Sequence, residues 1–213
     1  MIHLSNLRPK PLVSLGINPL SEIFEAECEF QQGKNYLVAA PSGRGKSTLL
    51  HCLYGIRKDY TGLITLDKKD VSSFSPDEWA MIRQKDLSIV FQDLQLFPQL
   101  SAWENILINA DLAPVVDENS LRHWAHQLHI DDHLVKPVKK LSYGQQQRVA
   151  ILRALAQPFR YLLLDEPFSH LDALNSESAT KLILDVCRER KAGFILASLG
   201  ERFGLAFDQE YVM

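Results

Sequence analysis

The chain has 213 residues, 46% of them hydrophobic, which is enough apolar mass for a sizeable core at the length of one domain. Its formal net charge is −3 and neither half is strongly basic, so charge gives no support to a nucleic-acid partner. No run approaches the roughly 18 apolar residues of a membrane helix, so any service to a membrane requires another chain to span the bilayer.

The opening stretch MIHLSNLRPKPLVSLG does not read as a signal peptide, because Arg8, Lys10 and two prolines break its apolar positions. The next stretch, FEAECEF, alternates from Phe24 to Phe30. Phe24, Ala26, Cys28 and Phe30 share one face and three glutamates the other, which predicts a half-buried strand of an antiparallel sheet. The three cysteines, Cys28, Cys52 and Cys187, are odd in number and scattered. They read as reduced core thiols of a cytosolic protein.

NYLVAA ends at Ala40 and leads into a glycine-rich turn, PSGRG, and then a helical pattern from Gly45 to Tyr54. Strand, turn and helix in that order suit a phosphate. Backbone N–H groups of the turn converge on its oxygens and the helix N-terminus favours the anion. The phosphate-loop pattern is Gly, four residues, Gly-Lys and Ser or Thr. Gly45, Lys46 and Ser47 meet it, with Thr48 following, but Ala40 stands where the first glycine belongs. Residues Ala40, Pro41, Ser42, Gly43, Arg44 and Gly45 form the predicted cradle, Lys46 reaches the β- and γ-phosphates, and the Ser47 hydroxyl holds Mg²⁺. If the first position required a positive φ, the Ala40 methyl would cost roughly 1–2 kcal/mol.

GLITLDKKDV, from Gly62 to Val71, predicts two strands around a polar turn. LSIVF, YLLLD and FILAS are short, nearly continuous apolar runs like NYLVAA. All four fit strands buried on both faces of a parallel sheet. The segment from about 101 to 156 holds helical patterns and no strand. Ser101 and Glu104 make a capping box, ENSLRHWAHQLHI is amphipathic, and SYGQQQRVAILRALAQP runs to Pro158. Its histidines (His123, His126, His129 and His133) read as a polar helix face. YLLLDEP delivers Asp165 and Glu166 at the carboxyl end of a buried strand, where ligands bind in open α/β sheets. Asp165 can hold the hydration shell of Mg²⁺ and Glu166 can polarise the water that attacks the γ-phosphate.

With LSYGQQQRVAILRAL the whole chain resembles the nucleotide-binding domain of ATP-binding-cassette (ABC) transporters, whose signature is Leu-Ser-Gly-Gly-Gln. Here Tyr143 replaces the first glycine. The resemblance implies that Ser142, Gly144 and Gln145 contact the γ-phosphate of an ATP held by the partner subunit. VFQDLQLFPQLSAWENI resembles the Q-loop, which implies that Gln92 touches Mg²⁺ and the attacking water and couples to a transmembrane subunit. SHLD resembles the D-loop, whose Asp172 meets the opposite subunit. QDLQLFPQLSAWENI and QQQRVAILRAL look most like the lipoprotein-releasing and macrolide-exporter type.

Two family features are missing. Such domains place an aromatic residue before the phosphate loop to stack on adenine, but Met1 to Ile23 contains no Phe, Tyr or Trp. Loss of such a stack costs roughly 1–3 kcal/mol. A histidine normally follows the last core strand and contacts the γ-phosphate. Leu199 stands there, and the last histidine of the chain is His170 in the D-loop.

The resemblance implies one ABC ATP-binding domain over residues 1–213. Its fold is α/β, a P-loop NTPase of ABC type with a mostly parallel core sheet, an antiparallel β subdomain and a helical subdomain at about 101–156. The expected activity is hydrolysis of ATP with Mg²⁺, slowed by loss of the histidine. Glu166, Gln92 and Lys46 are the expected catalytic residues, and Ser47, Gln92 and Asp165 the metal-binding ones. The expected assembly is a homodimer or a heterodimer with a homologous subunit, bound to a separate transmembrane permease on the inner face of the membrane. Two alternatives are an ATP-gated binding module impaired in hydrolysis and a cassette without a membrane partner.

Overall fold

In the computed structural model, which describes residues 1–213, the chain opens with strand β1 (Ile2–Pro9) and one helical turn, α1 (Lys10–Val13). Strands β2 (Glu27–Phe30) and β3 (Tyr36–Ala39) precede helix α2 (Lys46–Leu53). A hairpin of β4 (Tyr60–Leu66) and β5 (Lys69–Asp70) leads through α3 (Pro76–Lys85) to β6 (Leu87–Val90). Helices α4 (Ala102–Leu112), α5 (Glu118–Gln127) and α6 (Tyr143–Ala156) follow without an intervening strand. Strand β7 (Tyr161–Asp165), helix α7 (Ala173–Arg190), β8 (Gly193–Ser198) and β9 (Gln209–Val212) complete the chain.

Two sheets result. One is parallel, in the order β6-β7-β8-β3-β9, and holds all four apolar runs. Burial on both faces explains why those runs lack polar alternation. In β7, Leu162 and Leu164 pack toward the helical side, while Tyr161 and Leu163 pack toward α2 and the other sheet. Strand β8 divides the same way, with Phe194 and Leu196 opposite Ile195 and Ala197.

The second sheet is antiparallel, in the order β2-β1-β4-β5. The alternating stretch supplies only its last four residues to β2. Glu25 has φ 58°, a left-handed turn that separates Phe24 from β2, although Phe24, Cys28 and Phe30 are all buried as expected. Strand β1 carries the register break between Ser5 and Arg8. There the backbone of Asn6 approaches β4 so closely that a Cβ on Gly62 would lie 2.2 Å from the Asn6 carbonyl oxygen. The β4–β5 turn places Asp67 and Lys68 at φ 50° and 69°, the geometry of a two-residue hairpin.

The capping boxes at Ser101–Glu104 and Ser142–Gln145 both form. Helix α6 is buried along Gln147–Ala156, as the central strut of the helical layer. Its two arginines bond backbone carbonyls: Arg148 those of Leu128 and His129, Arg153 those of Leu94 and Gln95. The three cysteines are free and buried, and burial pushes each thiol up to about 12. No helix is long and apolar enough to cross a membrane.

Candidate functional site

The carboxyl ends of four neighbouring strands meet at one edge of the parallel sheet. Strand β3 delivers the glycine-rich loop, β6 delivers Gln92, β7 delivers Asp165 and Glu166, and β8 delivers Leu199. Residues 120 positions apart in sequence therefore come together because parallel strands all end on the same side.

The loop begins at Ala40, which is 3% exposed and anchored by its N–H to the Ser198 carbonyl at 3.2 Å. Ala40 does not have a positive φ. The left-handed turns fall instead at Gly43, φ 75°, and Gly45, φ 101°. A methyl on the first residue of the loop therefore carries no conformational cost, and its side chain helps fill the core. Helix α2 starts at Lys46 without a side-chain cap, which leaves its first N–H groups for an anion.

Lys46 is 5% exposed. Its Nζ donates to the carbonyls of Ala40 at 2.9 Å and Pro41 at 3.3 Å, and lies 3.2 Å from Glu166 Oε1. The Ser47 hydroxyl donates to Gln92 Oε1 at 3.3 Å. Asp165 is 1% exposed and neither carboxylate oxygen has a hydrogen-bond partner. Burial raises its pKa above the usual carboxylate range, with nearby Ser47 and His51 pulling the other way. A buried, orphaned carboxylate beside a hydroxyl and an amide oxygen is an all-oxygen donor set, the kind that suits Mg²⁺. Glu166 has φ 47°, a conformation rare outside glycine, and its N–H bonds the Ala197 carbonyl at 3.0 Å.

Ser42, Thr48 and Glu166 line one cleft with Gly43, Gly45, Lys46, Ser47 and Gln92, roofed by Pro11, Leu12 and Leu15. Arg44 does not line this cleft but a neighbouring one, with Leu12 and Phe24. Ser142, Gly144 and Gln145 do not line this cleft. Ser142 caps α6, accepting from the Gln145 N–H at 3.3 Å, while the Gln145 side chain accepts from the Ser142 N–H at 2.9 Å. Gly144 faces the D-loop, where a Cβ would sit 3.0 Å from the His170 carbonyl oxygen. His170 is exposed and its ring packs on Tyr143 with centroids 4.3 Å apart. Asp172 caps α7. In LQLFPQL, Leu94 is buried in the core, whereas Phe97 is 53% exposed.

Two contributors escaped the sequence reading. The short turn α1 and the residues just after it bring Pro11, Leu12 and Leu15 to the cleft. Tyr143 reaches the Gln92 carbonyl from 51 residues away. No local pattern announces either contact.

Fold and site together define a P-loop nucleotide-binding ATPase. The ABC transporter family matches residues 24–169. Relatives include the thiamine import ATP-binding protein ThiQ of Aliivibrio fischeri, 35% identical over 84% of this chain and 75% of that protein. The lipoprotein-releasing system ATP-binding protein LolD of Legionella pneumophila is 31% identical over 85% of this chain and 82% of that one. The solved dimeric structure of MJ0796, a bacterial ABC transporter cassette, superposes with a TM-score of 0.79 at 27% identity, over 96% of this chain and 91% of that one. A post-hydrolysis state of the same cassette bound to ADP and Pi gives 0.78. The chain belongs to the ABC transporter family and is one of its ATP-binding, ATP-hydrolysing subunits.

Proposed function

We propose that this subunit binds ATP with Mg²⁺ at the loop Ala40–Thr48 and hydrolyses it slowly, within a dimer that drives a separate transmembrane subunit. The observation that carries the reading is the convergence of Lys46, Ser47, Gln92, Asp165 and Glu166 at one sheet edge. Ser47, Gln92 and Asp165 would hold Mg²⁺, which would supply charge neutralisation to the phosphates. The N–H groups of Gly43 to Ser47 receive the phosphates and Lys46 turns from Glu166 toward them. Glu166, released from the ion pair, orients and deprotonates the attacking water. Ser142 and Gly144 close the site from a second subunit, identical or homologous. The capped start of α6 directs its N–H dipoles at the partner's nucleotide.

Docking to the membrane subunit is assigned to the loop around Gln92 and the exposed Phe97, which would hold the protein at the inner face of the membrane. The relatives serve import and release systems alike, so the shared function is ATP-driven work rather than one cargo. Size-exclusion chromatography with light scattering tests the reading on Glu166→Gln, which is expected to bind ATP without consuming it. ATP is expected to convert monomer to dimer. A mass unchanged by saturating ATP would contradict a homodimer, and a dimer restored only by a homologous subunit would assign a heterodimer.

Leu199 favours a second reading. It is 54% exposed at the end of β8 and offers no donor for the γ-phosphate. An ATP-gated module that dimerises without turnover fits that substitution, and phosphate release separates the two.

A further inference from the structure

Tyr143 is the residue at which the signature departs from its family pattern, and it makes contacts that glycine cannot. Its hydroxyl donates to the Gln92 carbonyl at 3.1 Å. Its ring packs against His170, which is itself fixed: Ser169 Oγ lies 2.9 Å from His170 Nδ1, and the His170 N–H donates to Gln147 Oε1 at 3.2 Å. Tyr143 also lines a recess with Ser47, His51, Gln92, Asp93 and Asp165. The first turn of α6 thus reaches the oxygen donor set of its own subunit.

Gln92 has little else to hold it. It is exposed, lies beyond the last paired residue of β6, and makes two hydrogen bonds: its carbonyl accepts from Tyr143 and its amide oxygen accepts from Ser47. Downstream, the loop turns through Leu94 and Gln95 at φ 62° and 47°, and Arg153 pins their carbonyls at 2.8 and 2.7 Å. Arg153 and Tyr143 both belong to α6, about 15 Å apart along its axis. One helix therefore clamps the loop at two points, and Tyr143 is the clamp nearest the metal-binding amide.

We propose that Tyr143 is a positioning residue that holds Gln92 against Ser47, so that the oxygen donors for Mg²⁺ are assembled before nucleotide arrives. The inference rests on the ATP-binding reading above. Freed of the hydroxyl, the loop must be ordered when metal and nucleotide bind, and one neutral hydrogen bond sets the scale at about two- to tenfold in affinity. The tyrosine acts through Gln92, so its effect is confined to the metal-dependent part of binding. Phosphate contacts at Lys46 and the loop N–H groups are unaffected.

Calorimetric titration with the non-hydrolysable β,γ-imido analogue of ATP, in EDTA and in saturating Mg²⁺, tests this on four proteins. They are the native chain, Tyr143→Phe, Gln92→Ala and the double variant, each checked by thermal melting. Tyr143→Phe keeps the ring on His170 and removes only the hydroxyl. The expected result is native affinity in EDTA, with the gain on adding Mg²⁺ reduced two- to tenfold. The double variant should then match Gln92→Ala alone, because both changes act on one interaction. A Mg²⁺ gain equal to the native one would overturn the proposal, as would equal weakening with and without metal, which marks packing alone. Additive effects in the double variant would also overturn it. If the native chain binds no analogue in either condition, the ATP-binding reading itself fails.

Discussion

Lys46 and Glu166 neutralise each other at 3.2 Å across the mouth of the phosphate loop. Each is proposed to act on the γ-phosphate region, so nucleotide entry must separate them. Glu166→Gln removes the competitor for Lys46 while keeping the shape of the side chain. The expected outcome is ATP binding at least as tight as native, with phosphate release abolished. Lys46→Ala is expected to lose binding by tenfold or more, because it removes a charge-assisted contact to phosphate. Calorimetry with ATP checks both, and a Glu166→Gln variant that binds tenfold more weakly would contradict the competition.

Ala40 fills the core without a left-handed backbone, so restoring the pattern glycine should bring no benefit. Ala40→Gly forfeits a buried methyl and loosens the unfolded chain, together about 1–2 kcal/mol. At this chain length each kcal/mol moves Tm by about 2–4 °C. Scanning calorimetry should show Ala40→Gly melting several degrees lower, with ATP affinity within twofold of native. Gly45→Ala, at φ 101°, should instead lose ATP binding.

Under the proposed Mg²⁺ site, the orphaned carboxylate of Asp165 trades stability for metal binding. Its pKa is raised on folding by burial, so the unfolded chain ionises first as pH rises. Below the unfolded value of about 3.9 the group is neutral in both states and Asp165→Asn gains nothing. As pH climbs past that value the native protein is penalised, and the penalty is complete above the raised folded pKa. At neutral pH without metal, Asp165→Asn should therefore melt higher than native, and it should lose the Mg²⁺-dependent gain in ATP affinity. A lower Tm for Asp165→Asn at neutral pH would contradict the account.

The roof over the loop is aliphatic. Pro11, Leu12 and Leu15 line the cleft; they would offer adenine and guanine the same apolar contact and no stacking ring, so ATP and GTP should bind within a few-fold of each other. Leu15 is 72% exposed and has room to change. Leu15→Tyr should tighten both nucleotides, on the scale of one base–aromatic stack, roughly 1–3 kcal/mol at most. A strong native preference for ATP would sink this reading.

Much of this arrangement was legible in the sequence where local chemistry decides it. The four apolar runs became neighbouring parallel strands because burial on both faces leaves no alternation to hide. Ser101 and Ser142 announced helix starts through reciprocal capping. The same reciprocal capping at Ser75 and Glu78 opens α3. Strand β1 is masked because Arg8 and Pro9 interrupt its apolar positions, yet Pro9 lies at its end and Arg8 beside a register break. Strand β9 alternates only at Tyr211, with its other residues exposed at the sheet edge. The Tyr143–Gln92 contact and the aliphatic roof depend on where distant segments fold, and no spacing rule reaches that far.

Slow hydrolysis is proposed at a site that keeps Lys46, Ser47, Gln92, Asp165 and Glu166 but has Leu199 in place of the histidine donor. Phosphate release from Mg-ATP, compared among the native chain, Glu166→Gln and Leu199→His, tests it most directly. Native turnover is expected above the Glu166→Gln blank, with Leu199→His faster by up to about 10²–10³-fold, the scale of one transition-state donor. A native rate equal to the blank, with ATP still bound, would contradict it and identify an ATP-operated switch.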